Sequence, residues 1–265
     1  MIGGKIMGKV YLIGAGPGAP DLVTLRAADL LRRAQIVFHD ALVHPDTIAL
    51  AAAAEKVAVG KRCGRHSTAQ RFINKRLIDA AARFATVVRL KGGDPMLFGR
   101  AQEEIDGLQE AGIEVEVVPG ITSACAASAE LGVSLTRRGV SRSVVFATPR
   151  VGDGEDPADW IKGVTAADTA VIYMAAGQAG KVSAALQAAG MAADTPVAVV
   201  ENASLATVRR FRTSLAELAD AAARWQLTGP ALIMLGDVYR QDAATGRILE
   251  ERGIDEFLAG NSRFR

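Results

Sequence analysis

Three short, apolar, β-branched runs in the first half of the chain each end in a glycine corner. Lys9–Ile13 runs into Gly14-Ala-Gly16-Pro17-Gly18, Thr86–Leu90 into Lys91-Gly92-Gly93-Asp94-Pro95, and Glu114–Val118 into Pro119-Gly120. Strands that stop at such corners and alternate with helices build α/β sheets, whose carboxyl-end loops are where ligands bind. Gln35–His39 and Lys56–Val59 supply two more strands of the same kind. Asp21 and Thr24 are polar starters for a helix through Ala34, with Val23, Ala27, Leu30 or Leu31, and Ala34 at helical spacing. After Thr68, Phe72 or Ile73, Leu77 and Ala81 line one face of another helix.

The second half opens with an Ala-rich helix over Ser123–Leu131 and a polar stretch, Thr136–Arg142. Strands are expected at Ser143–Ala147, Thr169–Tyr173, Pro196–Val200, Thr207–Arg212 and Ala231–Leu235, with an exposed Gly- and Asp-rich loop at Val151–Asp159. The fold class is therefore α/β, as two consecutive α/β domains over residues 8–120 and 121–242. Residues 243–265 form a tail with few packing signals.

Composition excludes several classes. Of the 265 residues 49% are hydrophobic, yet no run approaches the ~20 apolar residues of a membrane-spanning helix. The N-terminus has no signal-peptide core, so a cytoplasmic protein with no membrane partner is expected. A net charge of +2 with both signs mixed, and only 5% aromatic residues, argue against a nucleic-acid partner. Two cysteines cannot make a disulfide framework. Cys63-Gly-Arg-His66 has no second Cys/His pair to complete a ligand set, and no metal is expected.

Locally, Gly14–Ala19 satisfies a relaxed dinucleotide fingerprint, with Asp40 at the end of the next strand as a ribose-binding acid. Pro17 counts against that reading because it removes a backbone donor where a pyrophosphate would sit. A plain tight turn stands beside it. Gly92-Gly93-Asp94-Pro95 lets backbone approach a ligand closely and fixes a carboxylate by the following proline, although a β-turn with a solvated aspartate has the same spelling. Pro119-Gly-Ile-Thr122-Ser123 and Tyr173-Met174-Ala-Ala-Gly177 are further strand-to-loop corners built of small residues.

Taken together, Val10-Tyr-Leu-Ile-Gly-Ala-Gly-Pro-Gly18, His39-Asp-Ala-Leu-Val43, Gly60-Lys-Arg62, Arg89-Leu-Lys-Gly-Gly-Asp-Pro95, Phe98-Gly-Arg100, Val118-Pro-Gly-Ile-Thr122 and Val200-Glu-Asn202 resemble the tetrapyrrole methylase superfamily, in particular its branch acting on uroporphyrinogen III. The likeness runs in order from about Lys9 to Val238. It implies a homodimer with S-adenosyl-L-methionine in a cleft between the two domains, and S-adenosyl-L-homocysteine as product. By motif matching, the cofactor contacts would be Pro17, Gly92, Gly93, Asp94, Leu97, Thr122, Ser123, Met174, Ala203 and Ala231. The resemblance also makes Asp40 the proton acceptor and Lys61 the proton donor.

Methyl transfer from a sulfonium needs in-line positioning and a dry pocket that does not overstabilise the starting cation. The proton left on the methylated pyrrole then needs a base. A polycarboxylate acceptor calls for arginines; Arg62, Arg89 and Arg100 lie in or beside the motifs, with Arg100 foremost. Arg137, Arg138 and Arg142 form a further basic run, for which a solvated surface is the alternative. Departures from the family pattern fall at Thr136-Arg-Arg-Gly139, Thr148-Pro-Arg150 and Ala101-Gln102. They bear on the acceptor rather than on the methyl donor.

Overall fold

The structure, a computed structural model, describes residues 7–59, 66–151, 154, 156 and 158–240. The first half contains β1 (Lys9–Gly14), α1 (Leu25–Arg33), β2 (Ile36–His39), α2 (Pro45–Ala49), β3 (Glu55–Ala58), α3 (His66–Ala81), β4 (Thr86–Lys91), α4 (Ala101–Glu110) and β5 (Val115–Val118). Its five strands are all parallel, in the order β3-β2-β4-β1-β5. Helices cover both faces, so the strands read as nearly continuous apolar runs. Ile13, Val37, Val88 and Leu90 pack with Ala27, Leu30 and Leu31 of α1 on one face. Val10, Leu12, Phe38 and Val87 pack with Leu77 of α3 and Leu108 of α4 on the other. A fully buried leucine at such a position stabilises by about 1.5–3 kcal/mol.

Helix α1 starts where its sequence says it should, at Thr24, whose hydroxyl accepts the Ala27 N–H. Asp21 belongs instead to a separate 3-10 turn, Pro20–Leu22. On α3, Ile73 packs against the core while Phe72 is exposed, which resolves the alternative left by spacing alone.

The second half contains α5 (Ser123–Leu131), β6 (Val144–Ala147), α6 (Asp159–Ala166), β7 (Thr169–Ile172), α7 (Ala179–Ala188), β8 (Pro196–Glu201), β9 (Arg209–Ser214), α8 (Leu218–Trp225) and β10 (Ala231–Gly236). The sheet order is β6-β7-β10-β8-β9, and only β6 and β7 are parallel. Helices α6, α7 and α8 pack on one face. Helix α5 packs on the other through Ala124, Ala127 and Leu131, against Val171, Val200, Leu232 and Met234. It ends at Gly132, in the left-handed conformation at φ 61° that favours glycine. Because α5 follows β5 after only a short loop, the carboxyl edge of the first sheet is tied directly to the second.

The strand expected at Thr207–Arg212 begins two residues later. Asn202 and Ser204 take left-handed backbones and the Val208 N–H closes a turn on the Leu205 carbonyl, so the chain is still reversing at Thr207. The tail 243–265 lies outside the described residues. Among those described, no helix is long and apolar enough to cross a membrane.

Candidate functional site

The three glycine corners meet. Gly16 and Gly93 exchange backbone hydrogen bonds, with N···O distances of 3.2 and 2.7 Å, and the Ala15 N–H reaches the Lys91 carbonyl at 2.7 Å. A Cβ on Gly14 would stand 2.6 Å from Gly120 Cα and 2.7 Å from the Gly93 carbonyl oxygen. One on Gly120 would collide with the same carbonyl and come within 2.8 Å of Gly14 Cα. Backbone meets backbone here, which only glycine permits. Asp94 fastens the junction: Oδ2 accepts the Gly120 N–H at 2.9 Å and Oδ1 the Met96 N–H at 2.8 Å. Gly92 and Gly93 face open space instead; a Cβ on Gly92 would meet only Leu42 Cβ, at 3.9 Å, and one on Gly93 nothing within 4 Å.

The second half closes on these corners at two points. Ser204 Oγ accepts the Ala19 N–H at 3.0 Å, and Leu205 fills the space beside Gly18, one residue beyond Pro17. Thr122, the N-cap of α5, does not cap with its side chain; its hydroxyl lies 2.6 Å from that of Tyr173, which also accepts the Ala124 N–H and touches Ser123. Burial raises the Tyr173 pKa, against the hydrogen bonds from Thr122, Ser123 and Ala124, so this phenol stays protonated at neutral pH. The Phe98 ring packs on Tyr173 with centroids 5.1 Å apart. Tyr173 was not among the residues expected at the site. Its place at the end of a strand, beside Met174, was the available signal.

The remaining expected residues fall around the same edge. Met174 is exposed at φ 57°, Leu97 is half-buried after the Asp94 turn, and Ala203 and Ala231 are buried at adjoining ends of β8 and β10. That end is clamped by Glu201, whose Oε1 accepts the Thr228 and Gly229 N–H groups at 2.7 and 2.6 Å while Arg209 pairs with its other oxygen.

Asp40 sits at the tip of β2, hydrogen-bonded through its N–H to the Leu90 carbonyl. Its Oδ1 lies 2.6 Å from Arg89 Nη2. Arg89, expected to face a carboxylated acceptor, is instead 3% exposed and points toward α3 and α4. The cause is the two-residue period of β4, which aims Arg89 and Lys91 at the same face, where Glu104 receives both. Arg100 is exposed at the α4 N-terminus and makes a two-pronged ion pair with Glu103, at 2.6 and 2.7 Å. Lys61, Arg62 and Cys63 lie outside the described residues.

The basic run forms a tight hairpin. Arg137 and Ser141 exchange backbone hydrogen bonds around Gly139, at φ 78°. Asp168 anchors its base by accepting from the Arg142 and Ser143 N–H groups and the Ser143 hydroxyl, bonds that hold the carboxyl below its ordinary pKa. Thr136, Arg137, Arg138, Ser141 and Arg142 line a pocket of about 440 Å³.

This geometry does not make a dinucleotide site. The N–H groups of Ala15, Gly16 and Ala19 are already spent on protein acceptors and Pro17 has none, so the turn offers a pyrophosphate little beyond the Gly18 N–H. Strand β4 is inserted between β1 and β2, whereas the dinucleotide fold places those two side by side. Asp40 is thereby held a strand away from the glycine turn. Fold and site define a two-sheet α/β protein whose candidate ligand cleft is the glycine-lined carboxyl edge of the first sheet, met there by loops of the second.

The chain belongs to the tetrapyrrole methylases: the family model for Tetrapyrrole (Corrin/Porphyrin) Methylases matches residues 9–219. It is 43% identical over 233 residues to a uroporphyrinogen-III C-methyltransferase of Pseudomonas aeruginosa, covering 88% of this chain and 95% of that one. A siroheme synthase of Pseudomonas putida is 44% identical over 88% of this chain, which spans only 50% of that longer protein. Among solved structures, uroporphyrin-III C-methyltransferase of Thermus thermophilus complexed with S-adenosyl homocysteine superposes with a TM-score of 0.74 at 38% identity, covering 87% of this chain and 98% of that one. A cobalt precorrin-4 methyltransferase superposes at 0.76 with 30% identity, covering 88% and 96%.

Proposed function

We propose that this chain transfers two methyl groups in succession from S-adenosyl-L-methionine to uroporphyrinogen III, giving precorrin-1 and then precorrin-2 on the way to sirohaem or cobalamin. The observation that carries the reading is the open corner at Gly92-Gly93, where the nearby carboxylate of Asp94 is occupied by backbone donors. A methyl donor with a positive sulfur fits there without being overstabilised by an anion. When bound, it supplies an electrophilic methyl group. Pro17, Gly92, Gly93, Asp94, Leu97, Thr122, Ser123, Met174, Ala203 and Ala231 form the walls that hold it.

The chain's own chemistry is positioning and proton removal. The attacking ring carbon of the acceptor forms its bond to methyl as the C–S bond breaks, S-adenosyl-L-homocysteine leaves as a neutral thioether, and the positive charge arrives on the tetrapyrrole. Asp40 discharges it by accepting the proton that leaves. Arg100 and the Arg137–Arg142 hairpin pair with acceptor carboxylates, and Lys61 donates a proton, a role that rests on the family resemblance alone. The protein acts as a homodimer on the same resemblance; sedimentation at micromolar concentration tests the dimer.

A second reading, methylation of a later precorrin, is favoured by the likeness to the cobalt precorrin-4 enzyme. Calorimetric titration with S-adenosyl-L-homocysteine and with NADPH, followed by transfer of labelled methyl to each acceptor, tests both. Binding of the first ligand alone and label on uroporphyrinogen III are expected; label on a later precorrin only would favour the second reading.

A further inference from the structure

Behind Asp40 lies a chain of buried charges that takes no direct part in holding the methyl donor or the acceptor. Arg89 Nη2 donates to Asp40 Oδ1 at 2.6 Å, Nε to Glu104 Oε1 at 3.1 Å and Nη1 to the Leu90 carbonyl at 3.3 Å. Lys91 Nζ lies 3.0 Å from each oxygen of Glu104, and Gln70 Nε2 donates to Glu104 Oε1 at 3.1 Å. Glu104 is completely buried, Arg89 3% exposed and Lys91 4% exposed, whereas the Asp40 side chain is 34% exposed. Two cations and two carboxylates therefore balance in an interior chain with one end open to solvent, and that end is Asp40.

Removing charges from water is costly, and a hydrophobic set of equal volume would stabilise the fold as well or better. Such a chain is informative when its exposed end has a task that needs a fixed, ionised carboxylate. We propose that Arg89 is a positioning residue for Asp40. It locks the Oδ1 edge with a charge-assisted bond and leaves Oδ2 to receive the substrate proton, while Glu104 holds Arg89 from the inner side. The proposal rests on the reading of Asp40 as proton acceptor. The step it serves is balanced: the ring carbon forms its bond to methyl as the C–S bond breaks, and a proton then passes from the cationic tetrapyrrole to Asp40.

Lys91 belongs to the same device. Burial, and then the Arg89 charge, push its pKa down against the pull of Glu104 and Asp40; Arg89 itself is held up by Glu104 and Asp40 against burial. Among the described residues, the charged or titratable groups facing Asp40 are thus Arg89 and Lys91 on β4 and Glu104 on α4, with His39 bonded to its carbonyl at 3.2 Å.

The test is a double-mutant cycle on the full chain, read by steady-state transfer of labelled methyl to uroporphyrinogen III. Arg89→Gln lowers kcat on the order of tenfold to a hundredfold, with the KM of the acceptor and S-adenosyl-L-homocysteine affinity unchanged, and Arg89→Lys restores part of it. In an Asp40→Asn background the same Arg89→Gln substitution costs little more, because the carboxylate it positions is already gone. A purely structural role would lower thermal stability and turnover alike in both backgrounds. Should Arg89→Gln fail to fold, Glu104→Gln and Arg89→Lys carry the same cycle. Equal losses of kcat with and without the Asp40 carboxylate overturn the proposal. Full turnover retained by Asp40→Asn alone would instead overturn the proton-acceptor reading on which it rests.

Discussion

The hydroxyls of Thr122 and Tyr173 lie 2.6 Å apart, joining the loop that leaves the first sheet to the end of a strand in the second. Tyr173 also accepts the Ala124 N–H, so one phenol ties the N-terminus of α5 to the far side of the cleft. Tyr173→Phe keeps the ring contact with Phe98 and removes only these bonds. It should cost about 1 kcal/mol of stability and weaken S-adenosyl-L-homocysteine binding several-fold. Thermal unfolding and calorimetry read the two effects; unchanged affinity would mean that the tie does not shape the cleft.

Two glycines of the corner should respond in opposite ways. Gly120→Ala places a methyl group against the Gly93 carbonyl and Gly14 Cα, and should destabilise by about 1–3 kcal/mol. Gly92→Ala has room in the protein itself and should leave the melting temperature nearly unchanged. Its methyl group instead occupies the proposed ligand space, so affinity for S-adenosyl-L-homocysteine should fall at least tenfold. Equal binding by Gly92→Ala and the parent would place the ligand elsewhere.

Glu201 predicts an acid dependence of stability. Burial pushes its carboxyl up, but the Gly229 N–H, Arg209 and the Thr228 N–H together hold it below its ordinary 4.5. The stabilisation from the ionised form is therefore complete above pH 4.5 and is lost as pH falls through the lower folded value. Glu201→Gln should melt earlier than the parent at pH 7, with the gap narrowing below about pH 4.5. A gap of constant size from pH 7 to pH 3 would refute this.

The arginine hairpin should act on the acceptor alone. Replacing Arg138 and Arg142 by Ala should raise KM for the tetrapyrrole roughly tenfold and flatten its dependence on salt, with S-adenosyl-L-homocysteine affinity unchanged. Steady-state kinetics at two ionic strengths check this. An unaltered KM would leave the run as a solvated surface.

Much of this fold is legible in the sequence because its signals are local. The apolar run at β1, the Thr24 cap and the Ala-rich span Ser123–Leu131 each specify an element without distant partners. The glycine corners are legible too, although what makes Gly14 and Gly120 necessary is their contact with each other and with the Gly93 carbonyl, which no single corner displays. Strand order was hidden: the insertion of β4 between β1 and β2 separates Asp40 from the turn it resembles a partner of in sequence. The burial of Arg89 was hidden for a similar reason, since an arginine in a strand looks like a surface charge until Glu104, fifteen residues on in another element, is seen beneath it. Tyr173 likewise reaches its partner across the cleft, 51 residues away in the chain.

Double methylation of uroporphyrinogen III is best checked by incubating the purified protein anaerobically with that acceptor and excess S-adenosyl-L-methionine and reading the product by mass spectrometry. A product heavier by two methyl groups is expected, preceded in time by one heavier by a single methyl. An acceptor recovered at its starting mass, under conditions where the protein binds S-adenosyl-L-homocysteine, would refute the proposed reaction.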